Sequence, residues 1–323
     1  MNFTIEKEDN GSRLDKFLIG KIDGSRSEIQ KKIKAGGITV NGKQVTPHHF
    51  VRTGDVIEIS AVKVKIAKKE SKINEPEIEI IHADPDYLIV YKPAGLLVHA
   101  VPGRREPTLS AALQLKYPEI KNAGEPGRYG IVHRLDKDVS GLLIATRTSR
   151  AYEYFKIAFA TREVKKEYLG LVYGELTNEA GDIIFKVGRG RSGKMAARPE
   201  NSDEGKEALT KYEIIKKYKG YTYLKINIIT GRTHQIRVHF LALGHPLVGD
   251  ELYTKARGKF SASSRGRCAS GAKGGSASGG KKIPLNRVFL HAASLSFVDL
   301  NGIHKEFHKD LPKELQIILD QLK

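Results

Sequence analysis

The chain has 323 residues and 40% of them are hydrophobic, enough for a sizeable core and more than one domain. Its single cysteine, Cys268, excludes an internal disulfide and a cysteine-based zinc site, no run approaches the roughly 20 apolar residues that span a bilayer, and the opening MNFTIEKEDN lacks the pattern of a secretory leader, so a cytoplasmic location is expected. Lys and Arg outnumber Asp and Glu by 55 to 37, a formal charge of +18 spread along the chain, which points to nucleic acid as partner rather than a membrane surface.

The first patterned stretch is SRLDKFLIGKI, where Leu14, Phe17, Leu18 and Ile22 fall at helical spacing. SRSE opens a second helix, with Ser25 and Glu28 as a capping box, Ile29 and Ile33 as its apolar face, and Gly36 and Gly37 as its stop. ITV, the turn NGK and a run ending in GDVIEIS predict a small sheet, with Asn41 and Gly42 forming a two-residue hairpin turn. The polar faces collect Arg13, Lys16, Lys21, Arg26, Lys31, Lys32 and Lys34. Over residues 12–60 this order of elements resembles the alpha-L RNA-binding fold, which implies an RNA-binding role for Arg13, Lys16, Arg26, Lys31, Lys32 and Lys34. A small α+β RNA-binding domain is therefore expected over 1–62, followed by a lysine-rich linker at 63–76.

From Glu77 onward the runs IEIIH, YLIVYKP, GIVH, GLLIATR, YLGLVYG, GDIIFKV, ALTKYEIIKKY, YTYLKINIIT and LHAASLSFV read as strands, and Ser149 to Glu163 and Arg232 to Leu243 as helices. They predict a mixed, mostly antiparallel α+β domain over 77–323. Within it, residues 257–282 are nearly all Gly, Ser, Ala, Lys and Arg, with seven cations and no acid, and are expected to be a disordered basic insert.

Two motifs lead nowhere. GRGRSG at 188–193 satisfies a dinucleotide fingerprint, yet the following KMAARPENSDEG has loop composition and cannot open the helix that the fingerprint requires. An arginine-rich hairpin tip, with Arg189 and Arg191 facing phosphates, is the simpler expectation. His234 and His239 are five residues apart and do not share a helix face, so neither a metal nor any other cofactor is expected.

The segment IVHRLDKDVSGLLIATR, residues 131–147, sets His133, Arg134, Asp136, Lys137 and Asp138 between two strand-like runs. A carboxylate carried on such a turn suits catalysis, but Asp136 or Asp138 capping its own turn explains the residues as well.

HRLDKDVSGLLIATRT resembles the catalytic-aspartate motif of the RluA-type pseudouridine synthases. YKPAGLLVH, KKEYLGLVYG, TGRTHQIRVHFLALGHPLVGDELY and FLHAASLSF match the family's other segments in order, from about Ile78 to Val298. The resemblance implies a pseudouridine synthase catalytic domain that isomerises uridine in RNA. It assigns Asp136 as the essential carboxylate, Tyr168 as the packing surface for the flipped base, Arg232 as the partner of Asp136, and Arg134 as the side chain that fills the emptied stack. A guanidinium beside a carboxylate favours its charged form, and Arg237 is the weaker candidate for that partner.

The extra RNA-binding unit favours ribosomal over transfer RNA as substrate, and a monomer is expected. A noncatalytic RNA-binding assembly factor is the competing class, against which the Asp136, Tyr168 and Arg232 set argues. A nucleoside hydrolase or glycosylase would differ by releasing free base.

Overall fold

In the computed structural model, the described residues are 2–23, 26–60, 76–101, 106–125, 127–254 and 283–322. Ser25, residues 63–75 of the expected linker and the whole 257–282 insert, with Cys268, lie outside them. The chain divides into two compact units, Met1–Lys72 and Ile73–Lys323.

The first unit joins two helices, α1 (Leu14–Phe17) and α2 (Arg26–Lys34), to a four-stranded antiparallel sheet of β1 (Asn2–Thr4), β2 (Ile38–Val40), β3 (Lys43–Gln44) and β4 (Val56–Ile59) in the order β1-β4-β2-β3. Leu14, Leu18, Ile29, Ile33, Ile38 and Ile57 are fully buried between the two layers. Asn41 and Gly42 both take positive φ, 51° and 71°, as a two-residue hairpin turn of this type demands. The helix expected from Leu14 to Ile22 ends after one turn. Gly20, at φ 78°, takes the chain out of the helical region before a second turn can form.

The second unit is built on a ten-stranded sheet: β5 (Glu79–Ala83), β6 (Tyr87–Lys92), β7 (Ser140–Thr146), β8 (Lys165–Tyr173), β9 (Ala180–Arg189), β10 (Met195–Arg198), β11 (Lys206–Tyr218), β12 (Tyr221–Ile228), β13 (Leu290–Val298) and β14 (His304–His308). Its order is β10-β9-β11-β12-β8-β13-β7-β6-β5, with β14 also paired to β13. Among the described pairings only β13 with β7 is parallel, so the sheet is mixed and mostly antiparallel. Every residue of β7 is buried because both its faces are covered. Leu143 and Ala145 share a core with α3 (Leu109–Lys116) and α5 (Gln235–Ala242), while Leu142 and Ile144 pack against α4 (Ser149–Ala160). At the parallel contact Gly141 takes φ 132°, and a Cβ there would lie 2.3 Å from the Ala292 carbonyl oxygen. Only glycine permits that approach of β7 to β13.

GIVH does not form the expected strand. Ile131 makes one isolated bridge to Ala145, and His133 Nε2 then accepts the Ile144 N–H at 2.8 Å, taking a donor that a neighbouring strand would have used. Residues 131–139 are instead the loop that enters β7. GRGRSG lies at the β9–β10 hairpin, where Arg189 pairs with Met195 and no helix follows. Helix α4 stops at Ala160, and Arg162 at φ 67° carries the chain away. The sequence pattern did not single out α3, the C-terminal helix Lys313–Gln321, β10 or β14, although α3 buries Leu109, Ala112 and Leu113 and the C-terminal helix Leu315, Ile318 and Leu319 at helical spacing.

On α5, His239 is fully buried with its ring edge-on to Phe185 at 5.7 Å, and neither ring nitrogen has a hydrogen-bond partner among the described residues. Burial pulls its pKa down to about 4 from 6.5. Above about pH 6.5 both folded and unfolded imidazoles are neutral. Between about 6.5 and 4 only the unfolded one takes a proton, so this group makes stability fall as pH falls through that window. Urea midpoints at about pH 7.5 and 5 should therefore differ less in His239→Phe than in the natural protein; an unchanged difference would rule out His239 as a contributor.

Candidate active site

The 131–139 loop, the end of β12, the start of α5 and the first half of β8 enclose a cavity of about 470 Å³ lined by Asp136, Tyr168, Arg134, Lys166, His234 and Arg237 among others. The loop is held by an unusual cation. Lys92 is fully buried at the end of β6 and donates to the carbonyls of Pro93 (2.8 Å), Leu96 (2.9 Å) and Lys137 (2.9 Å). Burial pulls its pKa down to about 7, while three carbonyl acceptors match the three protons of an ammonium. One of those carbonyls belongs to the residue after Asp136, so Lys92 sets the backbone that carries the carboxylate. On the other side of Asp136, Ser140 Oγ joins His291 Nδ1 (2.9 Å) and Arg287 Nη2 (2.7 Å), which anchors the start of β7.

Asp136 reaches its charge partner across 101 residues. Arg237 Nη1 donates to its Oδ2 at 3.2 Å. The same guanidinium makes a fork with Asp250, Nε to Oδ2 at 2.7 Å and Nη2 to Oδ1 at 2.8 Å, and its cation lies over the Tyr253 ring at 5.1 Å. Burial opposes the charge of Arg237, but Asp250 and then Asp136 outweigh it and hold its pKa above the ordinary arginine value. The pairing expected at Arg232 is thus made by Arg237. Arg232 lies in the loop before α5, exposed, with Nε donating to the Glu207 carbonyl at 3.1 Å. Helical geometry explains the exchange: Arg237 sits on the inward face of α5, whereas Arg232 precedes its first turn.

His234 precedes α5 at φ 57°, a left-handed conformation that is costly for a residue with a side chain. It brings Nε2 to 3.8 Å from Asp136 Oδ2, while Nδ1 meets the Tyr253 hydroxyl at 2.7 Å. Burial raises the Tyr253 pKa to about 12, so its hydroxyl keeps its proton and can donate to Nδ1. Burial lowers the His234 pKa despite Asp136, leaving a neutral ring with its second nitrogen turned to the carboxylate. Tyr168 is buried on β8, and burial followed by the Asp136 charge pushes its hydroxyl above the ordinary tyrosine range. Arg134 is exposed at the rim. Beneath it, His133 stacks on Phe159 at 4.4 Å, and burial lowers its pKa to about 3.

The cations of the first unit have their own organiser. Asp15 is fully buried and accepts from Arg13 (3.0 Å), Arg26 (2.9 Å) and Gln30 (2.5 Å). Burial opposes its charge, yet these bonds hold its carboxyl well below the usual carboxylate range. Lys16, Lys31 and Lys34 are exposed, and Lys32 donates to the Asp23 carbonyl at 3.2 Å. In the second unit Arg189 and Arg191 are exposed at the β9–β10 hairpin. Asp250, Tyr253 and Lys166 were not singled out by sequence reasoning. Asp250 and Tyr253 do sit at the end of the matched segment TGRTHQIRVHFLALGHPLVGDELY, and Lys166 in KKEYLGLVYG, but only their fold contacts reveal what they hold.

Among the described residues no group of acidic, histidine or cysteine side chains is suited to hold a metal, and no helix is long and apolar enough to cross a membrane.

Comparison with known proteins gives a consistent result. Residues 86–242 match the RNA pseudouridylate synthase family model, and residues 12–57 match that of the S4 domain. Ribosomal large subunit pseudouridine synthase D of Yersinia pestis is 34% identical over 329 residues, covering all of this chain and 94% of that protein. An uncharacterized RNA pseudouridine synthase of Aquifex aeolicus is 39% identical over 260 residues, 78% of this chain and 79% of its own. The solved structure of human RNA pseudouridylate synthase domain containing 4 shares the fold, with a TM-score of 0.55 and 22% identity over 75% of this chain and 92% of that one.

The two arginines have separable fates on substitution. Asp250→Ala, which strips Arg237 of its buried fork, should cost about 3–5 kcal/mol in chemical denaturation. Arg232→Ala should fall within about 0.5 kcal/mol of the natural protein. Equal losses would contradict this assignment.

Proposed function

The chain belongs to the RNA pseudouridylate synthase family and is an RNA uridine isomerase, and on that premise we propose that it acts on large-subunit ribosomal RNA, with Asp136 as the catalytic carboxylate and the target uridine extruded into the cavity. The observation that carries this reading is Asp136 itself, a largely buried carboxylate fixed by Arg237 and facing the aromatic wall of Tyr168 in one cavity.

The reaction breaks the bond from ribose C1′ to base N1, turns the base and joins C1′ to C5. The C5 proton leaves and N1 gains one, so no oxidant or donor is consumed. A uridine in a stacked helix must first leave its stack, at a cost of about a few kcal/mol, and Arg134 at the cavity rim is suited to fill the space and meet phosphate. Attack at C1′ and removal of the 2′ proton both need an ionised carboxylate beside the sugar, and Arg237 Nη1, 3.2 Å from Oδ2, holds the Asp136 carboxylate in place. Tyr168 offers a flat face for the turning base. Its raised pKa argues against a phenolate that accepts the C5 proton at neutral pH.

The S4 domain supports a structured RNA substrate through Arg13, Lys16, Arg26, Lys31, Lys32 and Lys34, with Arg189 and Arg191 as further phosphate contacts. The ribosomal choice draws on the name of the Yersinia pestis relative. The chain works in the cytoplasm as a monomer, with its RNA-binding domain at 1–62 and its catalytic domain at 77–323 joined by the linker.

The test uses transcripts with tritium at C5 of uridine, because forming the C1′–C5 bond expels that label. The natural protein should release tritium from large-subunit ribosomal transcripts, and Asp136→Asn should be slower by about 10³-fold or more. Release from transfer RNA transcripts alone would overturn the ribosomal reading, and comparable rates in the two proteins would overturn the role of Asp136.

A further inference from the structure

The cavity contains a cation that the chemistry above does not use. Lys166 and Tyr168 stand two residues apart on β8, so both side chains project from the same face of the strand into the cavity. Lys166 Nζ lies 5.3 Å from the centre of the Phe159 ring. No carboxylate or hydrogen-bond acceptor among the described residues pairs with it. Burial alone lowers its pKa to about 8, the cost of holding an uncompensated ammonium in a half-enclosed site.

Across from it, Gly231 leaves an opening. Its backbone is outside the left-handed region, so conformation does not demand glycine there. A Cβ at this position would have one neighbour within 4 Å, Lys166 Nζ at 3.8 Å. A Cβ there would stand in ordinary van der Waals contact with the ammonium and with no other described atom within 4 Å, so exposed Gly231 leaves the approach to Lys166 Nζ uncrowded. Along a strand, positions i and i+2 are about 7 Å apart, the order of distance that separates a pyrimidine ring from its own backbone phosphate.

We propose that Lys166 and the opening at Gly231 form the seat of a backbone phosphate next to the extruded uridine, fixing the nucleotide while its base turns over Tyr168. This proposal rests on Asp136 being the carboxylate at which the uridine reacts. An anion at the seat supplies the partner that Lys166 lacks among the described residues, and the ammonium contributes a charge-assisted bond. Lys166 is thus a binding residue for the known reaction rather than a group that moves protons.

The first experiment compares the natural protein with Lys166→Met, which keeps the stem and removes the charge, and Lys166→Arg, which keeps the charge. The substrates are a transcript containing the uridine that the protein isomerises and versions with a neutral methylphosphonate on either side of that uridine. Lys166→Met should raise KM by about 10- to 100-fold with kcat within a few-fold, and Lys166→Arg should recover most of the loss. One of the two neutral linkages should cost the natural protein a similar factor and cost Lys166→Met nothing further. Full additional losses from both neutral linkages in Lys166→Met, or an unchanged KM, would overturn the proposal.

A second experiment does not depend on which RNA is the substrate. With lysines carrying ¹³C-methyl labels and the Lys166 signal identified by its absence in Lys166→Arg, uridine 3′,5′-bisphosphate should raise the Lys166 titration from about 8 toward the ordinary lysine value, and uridine should not. If uridine and its bisphosphate have the same effect, the seat is refuted. A protein that isomerises neither ribosomal nor transfer RNA but still shows the bisphosphate shift would refute the substrate reading while keeping the seat.

Discussion

One guanidinium holds the site together. Arg237 is nearly inaccessible to water, and a buried cation survives folding only where acceptors repay its lost hydration. Asp250 supplies the fork that fixes the plane of the group, which leaves Nη1 pointed at Asp136. Asp136 is therefore positioned by a carboxylate that never needs to approach the substrate. The same cluster includes Tyr253 and His234, so the start of α5, the short helix Glu251–Thr254 and the 131–139 loop come to one place through a single charge.

The backbone beneath that cluster is set by close approach rather than by polar contacts alone. Gly141 lets β7 touch β13 in the sheet's one described parallel contact. Gly249, at φ 74°, does the same beside Asp250, where a Cβ would come within 1.9 Å of the Arg287 carbonyl oxygen. With β7 covered on both faces and Lys92 tying the loop through the Lys137 carbonyl, the carboxylate stands on a rigid support. Rigid support matters because small displacements of a reacting group carry large losses in rate.

The positive charge of the chain is organised differently in each unit. In the first, buried Asp15 fixes Arg13 and Arg26, so part of the basic surface is ordered before any partner arrives. In the second, Arg134 at the cavity rim and Lys166 within have no carboxylate partner among the described residues. A formal charge of +18 therefore describes the partner class, while the placement of individual cations describes what each can do.

Apolar periodicity, turn residues and ordered motif blocks were enough to make legible the two units, the mixed and mostly antiparallel sheet, most of its strands, the NG hairpin and the motif that carries Asp136. These features are local, since spacing of two or about 3.6 residues and a positive-φ turn act within a few positions of the chain. GIVH looked like a strand because composition cannot register that His133 takes the Ile144 N–H. Arg232 looked like the partner of Asp136 because Arg232 and Arg237 occur in the same matched segment and linear order does not say which face of α5 turns inward. Asp250 and Lys166 were silent for a related reason: an acid or a lysine gains its meaning from what lies opposite it. The sequence by itself determined most of the strands and the family, because propensity and motif are written along the chain. Only the tertiary structure decided which charges meet, because Coulomb energy and burial depend on distance and exposure, and folding fixes these between residues far apart in sequence.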